Sequence, residues 1–264
     1  MQTSGERTVM APPATTTTPY QLGDLIPLED LLAFPPDPRR LTRDARGRLC
    51  LMSPENPGEH RLPIGELNEQ LHRLKPSSFR ILPEASLALP RLLRLDGSDV
   101  PLSKLGRPRA IEADLAVFDG TPQIAQATRG APKSFTTRGL RLVVEVLSEE
   151  SWNADLGIGQ ADAVDRWTSH ARSGVPELWL VNAGVEEGCP LPPMTGLFLR
   201  NAGDAWTPLD VTAPAHGPGE VHGLRPLVGG VVRSTLGFEL DVGAFFTDLA
   251  RAIAEANRVD EPPG

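Results

Sequence analysis

Two cysteines in 264 residues, Cys50 and Cys189, are too few and too widely separated for a disulfide framework, and neither sits in a C-x-x-C pair. A disulfide scaffold or a zinc ribbon is therefore not the basis of this fold, and incidental thiols in a reducing cytoplasm are the expectation. No stretch approaches the ~20 consecutive apolar residues of a membrane span. The N-terminal segment lacks the apolar core of a secretory signal. There is no internal repeat and no heptad array. Positive charge is also short: 26 Lys and Arg face 34 Asp and Glu, giving a net charge of −8 and a pI near 5.2. That is not the footprint of a tight nonspecific nucleic-acid binder, and any such contact needs a local basic patch. Two catalytic loops are missing as well. Gly157-Ile158-Gly159 has Asp162 where a dinucleotide fingerprint needs its third glycine, and Gly157 comes nine residues after Ser148 (157 − 148). Ser148 has no G-x-S-x-G context and is not a nucleophile elbow.

What is present suits one large domain with tails. Residues 1–20 hold Ala-Pro-Pro and four consecutive threonines without apolar periodicity and read as a disordered tail. Residues 21–255 form the domain, and 256–264 a polar tail. A short helix is expected after Pro27, stopped by Pro35-Pro36-Asp37-Pro38. Residues 41–52 read as a hairpin turning at Asp44-Ala45-Arg46-Gly47. Residues 53–58 read as a loop. A helix over 64–74 places Ile64, Leu67, Leu71 and Leu74 on one face. Residues 79–89 look like a strand interrupted by Pro83-Glu84. Residues 91–109 and 121–138 are irregular and carry Arg91, Arg94, Lys104, Arg107, Arg109, Arg129, Lys133 and Arg138. They are solvated loops or the phosphate-contacting patch that an acidic chain needs. Beyond the centre, 196–200, 206–211 and 227–232 read as strands of a terminal meander, 212–223 as a loop, and 240–255 as a closing helix with Phe245, Phe246, Leu249 and Ile253.

The chain is organised around residues 140–181. A buried strand, Leu142 to Leu147, is broken by a single carboxylate, Glu145. A helix is expected over 161–172, closed by Ser173-Gly174 with Pro176 beyond, and a second strand over 178–181. Upstream, 111–118 is another short apolar strand, carrying Asp114 and ended by Asp119-Gly120. A carboxylate in a buried apolar strand is costly unless paired. Two of them on neighbouring strands raise each other's pKa unless a divalent cation lies between them. Hard oxygen ligands favour magnesium or manganese, and magnesium takes one or two carboxylates, keeps waters and binds substrate phosphate. Phosphodiester chemistry is the natural expectation. Asp162, one turn before Arg166 on the expected helix, shares its face; an exposed ion pair is the alternative reading.

Three segments together carry a resemblance: Glu112-Ala113-Asp114, then Val144-Glu145-Val146-Leu147-Ser148, then Gly174-Val175-Pro176-Glu177-Leu178-Trp179-Leu180-Val181. They resemble the core of the PD-(D/E)XK nuclease superfamily and, more closely, the bacterial restriction endonuclease family called Uma-two. Met52-Ser53-Pro54 with His60, and Leu236-Gly237-Phe238-Glu239-Leu240-Asp241, extend the likeness over roughly 31–246. The resemblance implies an α/β (mixed α+β) fold, a restriction-endonuclease-like central mixed sheet flanked by helices, here with extra C-terminal strands. It implies Asp114 and Glu145 as catalytic metal ligands, the Val146 carbonyl as a third ligand, and Mg2+ or Mn2+ as the metal. Ala113 stands where the family has proline before its acid. The lysine that the family draws from the following helix is matched by Arg166, which clamps phosphate but makes a poor general base. An insertion separates Ser148 from that helix. Glu66 on the first helix, Asp162 and His60 are accessory candidates, with a solvated face or a packing role as the alternatives. Trp167 reads as core, and His170 stands where the family often has tyrosine. The expected activity is endonucleolytic cleavage of nucleic acid, DNA first, in the cytoplasm and without a membrane. The resemblance also suggests a homodimer. The alternative is a catalytically inactive nuclease-fold binding or scaffold module.

Overall fold

The computed structural model describes residues 41–43, 49–51, 57–100, 110–125, 134–185 and 188–259. In chain order the elements are β1 (Leu41–Arg43), β2 (Leu49–Leu51), α1 (Pro57–Leu74), β3 (Phe79–Ala88), β4 (Leu93–Arg94), β5 (Ala110–Asp119), β6 (Phe135–Thr136) and β7 (Leu140–Val146). Then follow α2 (Trp152–Asp155), β8 (Val164–Asp165), α3 (Arg166–Arg172), β9 (Glu177–Asn182), β10 (Thr195–Asn201), β11 (Trp206–Pro208), β12 (Asp210–His216), β13 (Leu227–Arg233), β14 (Glu239–Asp241) and α4 (Val242–Val259).

A ten-stranded sheet runs in the order β12-β13-β10-β9-β7-β5-β3-β6, with β11 on β10 and β14 on β13. It is a mixed sheet. β7 pairs parallel with β9 and β3 with β6, while the other pairs are antiparallel. The parallel β7–β9 step needs a crossover, and residues 147–176, with α2, β8 and α3, supply it. This is the α/β fold that the resemblance implies, with the extra strands at the C-terminal side. β7 lies near the middle and is buried at every position except Arg141, as a near-continuous apolar strand should be. One face of the sheet packs Val144 and Val146 against Leu67 and Leu71 of α1 and Phe245 and Leu249 of α4. The other packs Val143 and Leu147 with Ala171 of α3, Val175 and Leu156. No helix among the described residues is long and apolar enough to cross a membrane.

Several sequence expectations hold. The 41–52 hairpin pairs Leu41 with Leu51, and the strands at Asp114, Glu145 and 178–181 are β5, β7 and β9. Others need correction. The first helix begins at Pro57, upstream of the expected start, with Pro63 inside it; proline is well placed at the first helical position, and it is Pro63 that mimics a boundary in the sequence. The helix expected over 161–172 begins only at Arg166. Val164 and Asp165 pair instead with Arg94 and Leu93 of β4, and the Asp165 side chain caps α3 by accepting from Thr168 N at 2.8 Å. The expected strand 206–211 is two strands, because β11 ends at Pro208, which cannot donate to a ladder. The expected loop 212–223 is strand as far as His216. β12 is almost wholly exposed, so no alternation betrays it. Gly230 on β13, at φ +104°, admits the Ala213 and Pro214 backbone of β12. The expected helix after Pro27, Lys104, Arg107, Arg109, Arg129 and Lys133 lie outside the described residues.

Candidate active site

The site begins with a break in side-chain alternation. Phe79 and Ile81 of β3, with Leu115 and Val117 of β5, pack on one face of the sheet. Ala85 and Leu87 of β3, with Ile111 and Ala113 of β5, pack on the other. All eight numbers are odd, so both strands turn over between these groups, although the pairing sum is unchanged from Pro83↔Leu115 to Ala85↔Ala113. Glu84, at φ +48°, marks the turn on β3, directly across from Asp114 in that register. The Pro83-Glu84 interruption visible in the sequence is thus a twist in a continuous strand.

On the other side, the β5–β7 ladder ends with Leu115 opposite Val144, which brings Asp114 and Glu145 opposite each other as the next pair. The Asp114 side chain turns across to β7, where Oδ2 accepts the Val146 N–H at 2.6 Å. Asp114 N lies 3.4 Å from Glu145 Oε2. Glu145 is 2% exposed and projects on the face of Val143 and Leu147, towards the crossover segment.

That segment supplies three groups. Arg166, the first residue of α3, sends Nη1 to 3.0 Å from Asp155 Oδ1 and 3.9 Å from Glu145 Oε2. A cation at a helix N-terminus opposes the helix dipole, and the acids facing Arg166 outweigh that. His170, one turn on and fully buried, places Nε2 3.2 Å from Glu145 Oε1. Asp155, at the end of α2, is buried, and its second oxygen accepts from Ser151 Oγ at 2.7 Å, which in turn accepts from Ser148 Oγ at 3.0 Å.

The protonation states follow from burial and charge. Burial and the neighbouring Asp155 push the Glu145 carboxyl well above its ordinary value, against the pull of Arg166. Burial also raises Asp155, again opposed by Arg166. For Arg166 burial is outweighed by Asp155, Glu145 and Asp114, which hold the guanidinium charged. Burial, with Arg166 beside it, lowers the His170 pKa to about 3, so the ring is neutral at neutral pH. His170 Nδ1 is buried with no hydrogen-bond partner. An orphaned N–H there would cost more than an orphaned lone pair, and a bare Nε2 would face a carboxylate oxygen. The ring therefore carries its proton on Nε2 and donates to Glu145.

Three carboxylates thus surround one guanidinium, and two of the three are buried beyond what that single cation relieves. The surplus fits a further cation. Among the described residues no group of three or more His, Cys, Asp or Glu is disposed to cage a metal ion. Carboxylate and backbone-carbonyl oxygens suit magnesium or manganese, which keep most of their waters and need only one or two carboxylates.

Asp114, Glu145 and Arg166, marked in the sequence, meet here, and Val146 joins them through its backbone. The accessory candidates stand apart. Glu66 Oε1 accepts from Gln70 Nε2 at 2.9 Å, and Arg73 lies 4.0 Å away, both on its own helix. Asp162 is exposed in the turn before β8, and the helix face it was expected to share with Arg166 does not exist there. His60 lies in α1, and its side chain is outside the described residues. Sequence reasoning missed Asp155 and gave His170 no definite partner. The spacing Ser148, Ser151, Asp155, three then four residues, is the signal that sets these side chains on one face of a helical turn.

No curated protein matches the chain at a significant level. The Uma2 family, described as putative restriction endonuclease, matches residues 28–188, more than half of the sequence and every residue of the Asp114–Glu145–Arg166 centre. The matched segment stops before β10, so the terminal meander and α4 lie beyond it. On that match, and with the mixed sheet of that fold, the chain belongs to the Uma2 family of restriction endonuclease-like proteins.

Proposed function

We propose that this chain is a metal-dependent endonuclease that hydrolyses phosphodiester bonds in nucleic acid, DNA first, working in the cytoplasm as a homodimer. The observation that carries the reading is the cross-strand meeting of Asp114 and Glu145 beside a fixed guanidinium. Magnesium or manganese on the two carboxylates and the Val146 carbonyl would supply a bound water of lowered pKa and a countercharge for the phosphate.

The protein groups have separable tasks. Asp114 is the more accessible of the two acids, and its Oδ2 is oriented by the Val146 N–H. Glu145 is oriented by His170 on Oε1 and by the Asp114 amide near Oε2, with the Arg166 guanidinium 3.9 Å from that second oxygen. His170 is too buried to reach a water and serves to hold Glu145. Arg166 keeps its proton, so it takes none from water; with 24% of its side chain exposed it can meet a phosphate oxygen and neutralise developing charge. With a net charge of −8, affinity for the polymer must come from local arginines such as Arg91 and Arg94 and from the basic stretches of 101–109 and 126–133.

The test is cleavage of supercoiled plasmid, linear duplex and single strands with Mg2+ or Mn2+, wild type beside Asp114→Asn and Glu145→Ala. Asn keeps an acceptor for Val146 N–H, so Asp114→Asn remains folded while cleavage is lost. Unchanged cleavage in a folded variant sinks the assignment. One observation favours the inactive binding or scaffold module as a second reading: Arg166 already supplies a buried countercharge at 3.0 Å from Asp155. Absence of divalent-metal binding by the folded protein would select that reading.

A further inference from the structure

The geometry points to Asp155 as the positioning residue of the site: it holds the Arg166 guanidinium away from Glu145 and so keeps the Glu145 carboxylate free to take a metal ion. This rests on the metal-site reading above.

Arg166 Nη1 is in hydrogen-bond contact with Asp155 Oδ1 at 3.0 Å, and stands 3.9 Å from Glu145 Oε2, beyond hydrogen-bond reach. Both acids are almost fully buried, so solvent does not decide between them; Arg166 is committed to Asp155. Asp155 is itself fixed. Its Oδ2 takes the Ser151 hydroxyl, Ser151 takes the Ser148 hydroxyl, and the Asp155 N–H donates to Ser151 O at 3.1 Å. Ser148 follows directly on Glu145-Val146-Leu147, so the chain of hydroxyls runs from the end of β7 to Asp155 and, through Arg166, back to Glu145. The alternative partner is close at hand. Without the Asp155 charge, the guanidinium's remaining buried acid is Glu145, and a small shift of Nη1 turns the 3.9 Å ion pair into a direct hydrogen bond. That pair would occupy the oxygen and the charge that a metal ion requires.

A double-mutant cycle on the full chain reads this directly, with Mn2+ binding followed by calorimetry rather than by activity. Asp155→Asn in the wild-type background should weaken Mn2+ binding about 10- to 100-fold, the range for losing an outer partner of a metal ligand. In the Arg166→Gln background no guanidinium remains to fall onto Glu145. There Asp155→Asn removes only its own negative charge from the neighbourhood of the cation, so the loss of Mn2+ affinity should be clearly smaller than in the wild-type background, and the two losses should be non-additive. A merely structural role for Asp155, holding α2 in place, would weaken binding equally in both backgrounds and overturn the proposal. If Asp155→Asn does not fold, as judged by circular dichroism, the cycle is run with Ser151→Ala. That variant removes the hydroxyl fixing Asp155 Oδ2 and should show the same dependence on Arg166 at smaller amplitude; equal effects in the two backgrounds again overturn it. Two controls separate this inference from its foundation. Wild-type binding that is absent, or insensitive to Asp114→Asn and Glu145→Gln, removes the metal site itself. Binding that needs both acids but shows no Asp155–Arg166 coupling removes only the positioning role.

Discussion

Arg166→Met is the perturbation that most directly tests the electrostatics of the centre. Methionine keeps much of the side-chain volume and removes the charge. At 3.0 Å from Asp155 and 3.9 Å from Glu145, and with an effective dielectric of about 20, the two attractions are worth up to about 5.5 and 4.3 kcal/mol. Part of this is returned because the guanidinium itself no longer has to be desolvated, and the acids can relax towards water. Breaking a buried pair from one side leaves a net loss of about 3–5 kcal/mol. For a domain of this size that is a fall in Tm of roughly 6–20 °C, out of a total stability of about 5–15 kcal/mol. The assay is urea unfolding followed by circular dichroism at pH 7.5, first in EDTA and then with Mn2+. In EDTA the variant should show the full deficit. With Mn2+ at about 100 times its dissociation constant, about 2.7 kcal/mol should return, because binding to the folded state alone stabilises by mass action. A variant within about 1 kcal/mol of wild type in EDTA would refute the argument, since it would mean that Asp155 and Glu145 do not depend on Arg166 for their countercharge.

Glu177 offers an independent test away from the site. Its Oε2 accepts from Thr235 N at 2.9 Å, Thr235 Oγ1 at 2.6 Å and Ser234 Oγ at 3.1 Å, and its Oε1 from Trp179 Nε1 at 2.7 Å. Whichever way the amide of Glu177→Gln turns, its NH2 faces either the indole or the Thr235 amide, donor against donor, so denaturant melts should show a loss of about 1–3 kcal/mol. Burial raises the Glu177 carboxyl despite these donors. The folded state then binds the proton more tightly than the unfolded chain, so this group's contribution to wild-type stability falls as pH rises from about 4.5 through the raised folded value. The glutamine variant should lose that slope, and melts across the acid range check it. Gly230→Ala places a Cβ 2.9 Å from Ala213 O at φ +104°; thermal melts should show a loss of about 1–3 kcal/mol, with Mn2+ affinity unchanged because β13 does not touch the site.

What could be read from the sequence divides along a physical line. β5, β7 and β9 were legible because they are apolar runs, and Asp114 and Glu145 were legible because each is a charge in such a run. Their cost in isolation announces a purpose. Asp155 carries no such mark. It sits in Ser151-Trp152-Asn153-Ala154-Asp155-Leu156-Gly157, where apolar and polar residues alternate without a continuous apolar run, so nothing local marks it until the fold buries it to 2% exposure. The start of α3 was hidden for a related reason: Val164 and Asp165 suit a helix by local pattern, but pairing with β4 takes the first and capping the second. Ser169 strengthens that hold by accepting Leu93 N at 2.9 Å, a contact across 76 residues that no local window can contain. Residues 212–216 of β12 read as loop because an exposed strand gives no alternation.

The charge count of the centre joins its stability to its proposed chemistry. Asp114, Glu145 and Asp155 against Arg166, with His170 neutral, leave two negative charges when all three acids are ionised. A divalent cation cancels that remainder. In its absence the burial that raises Glu145 and Asp155 is relieved in the ordinary way, by holding protons longer. If the proposed metal site is occupied, cation and proton compete for the same oxygens, so loading should release protons, and Mn2+ affinity measured by calorimetry should rise with pH through the range in which Glu145 and Asp155 give them up. An acidic protein can thus carry an anion-cleaving centre without a basic surface around it. The negative charge is concentrated in two buried acids and the more accessible Asp114, and on the proposed reading a cation completing the group would also present the positive face that a phosphate requires.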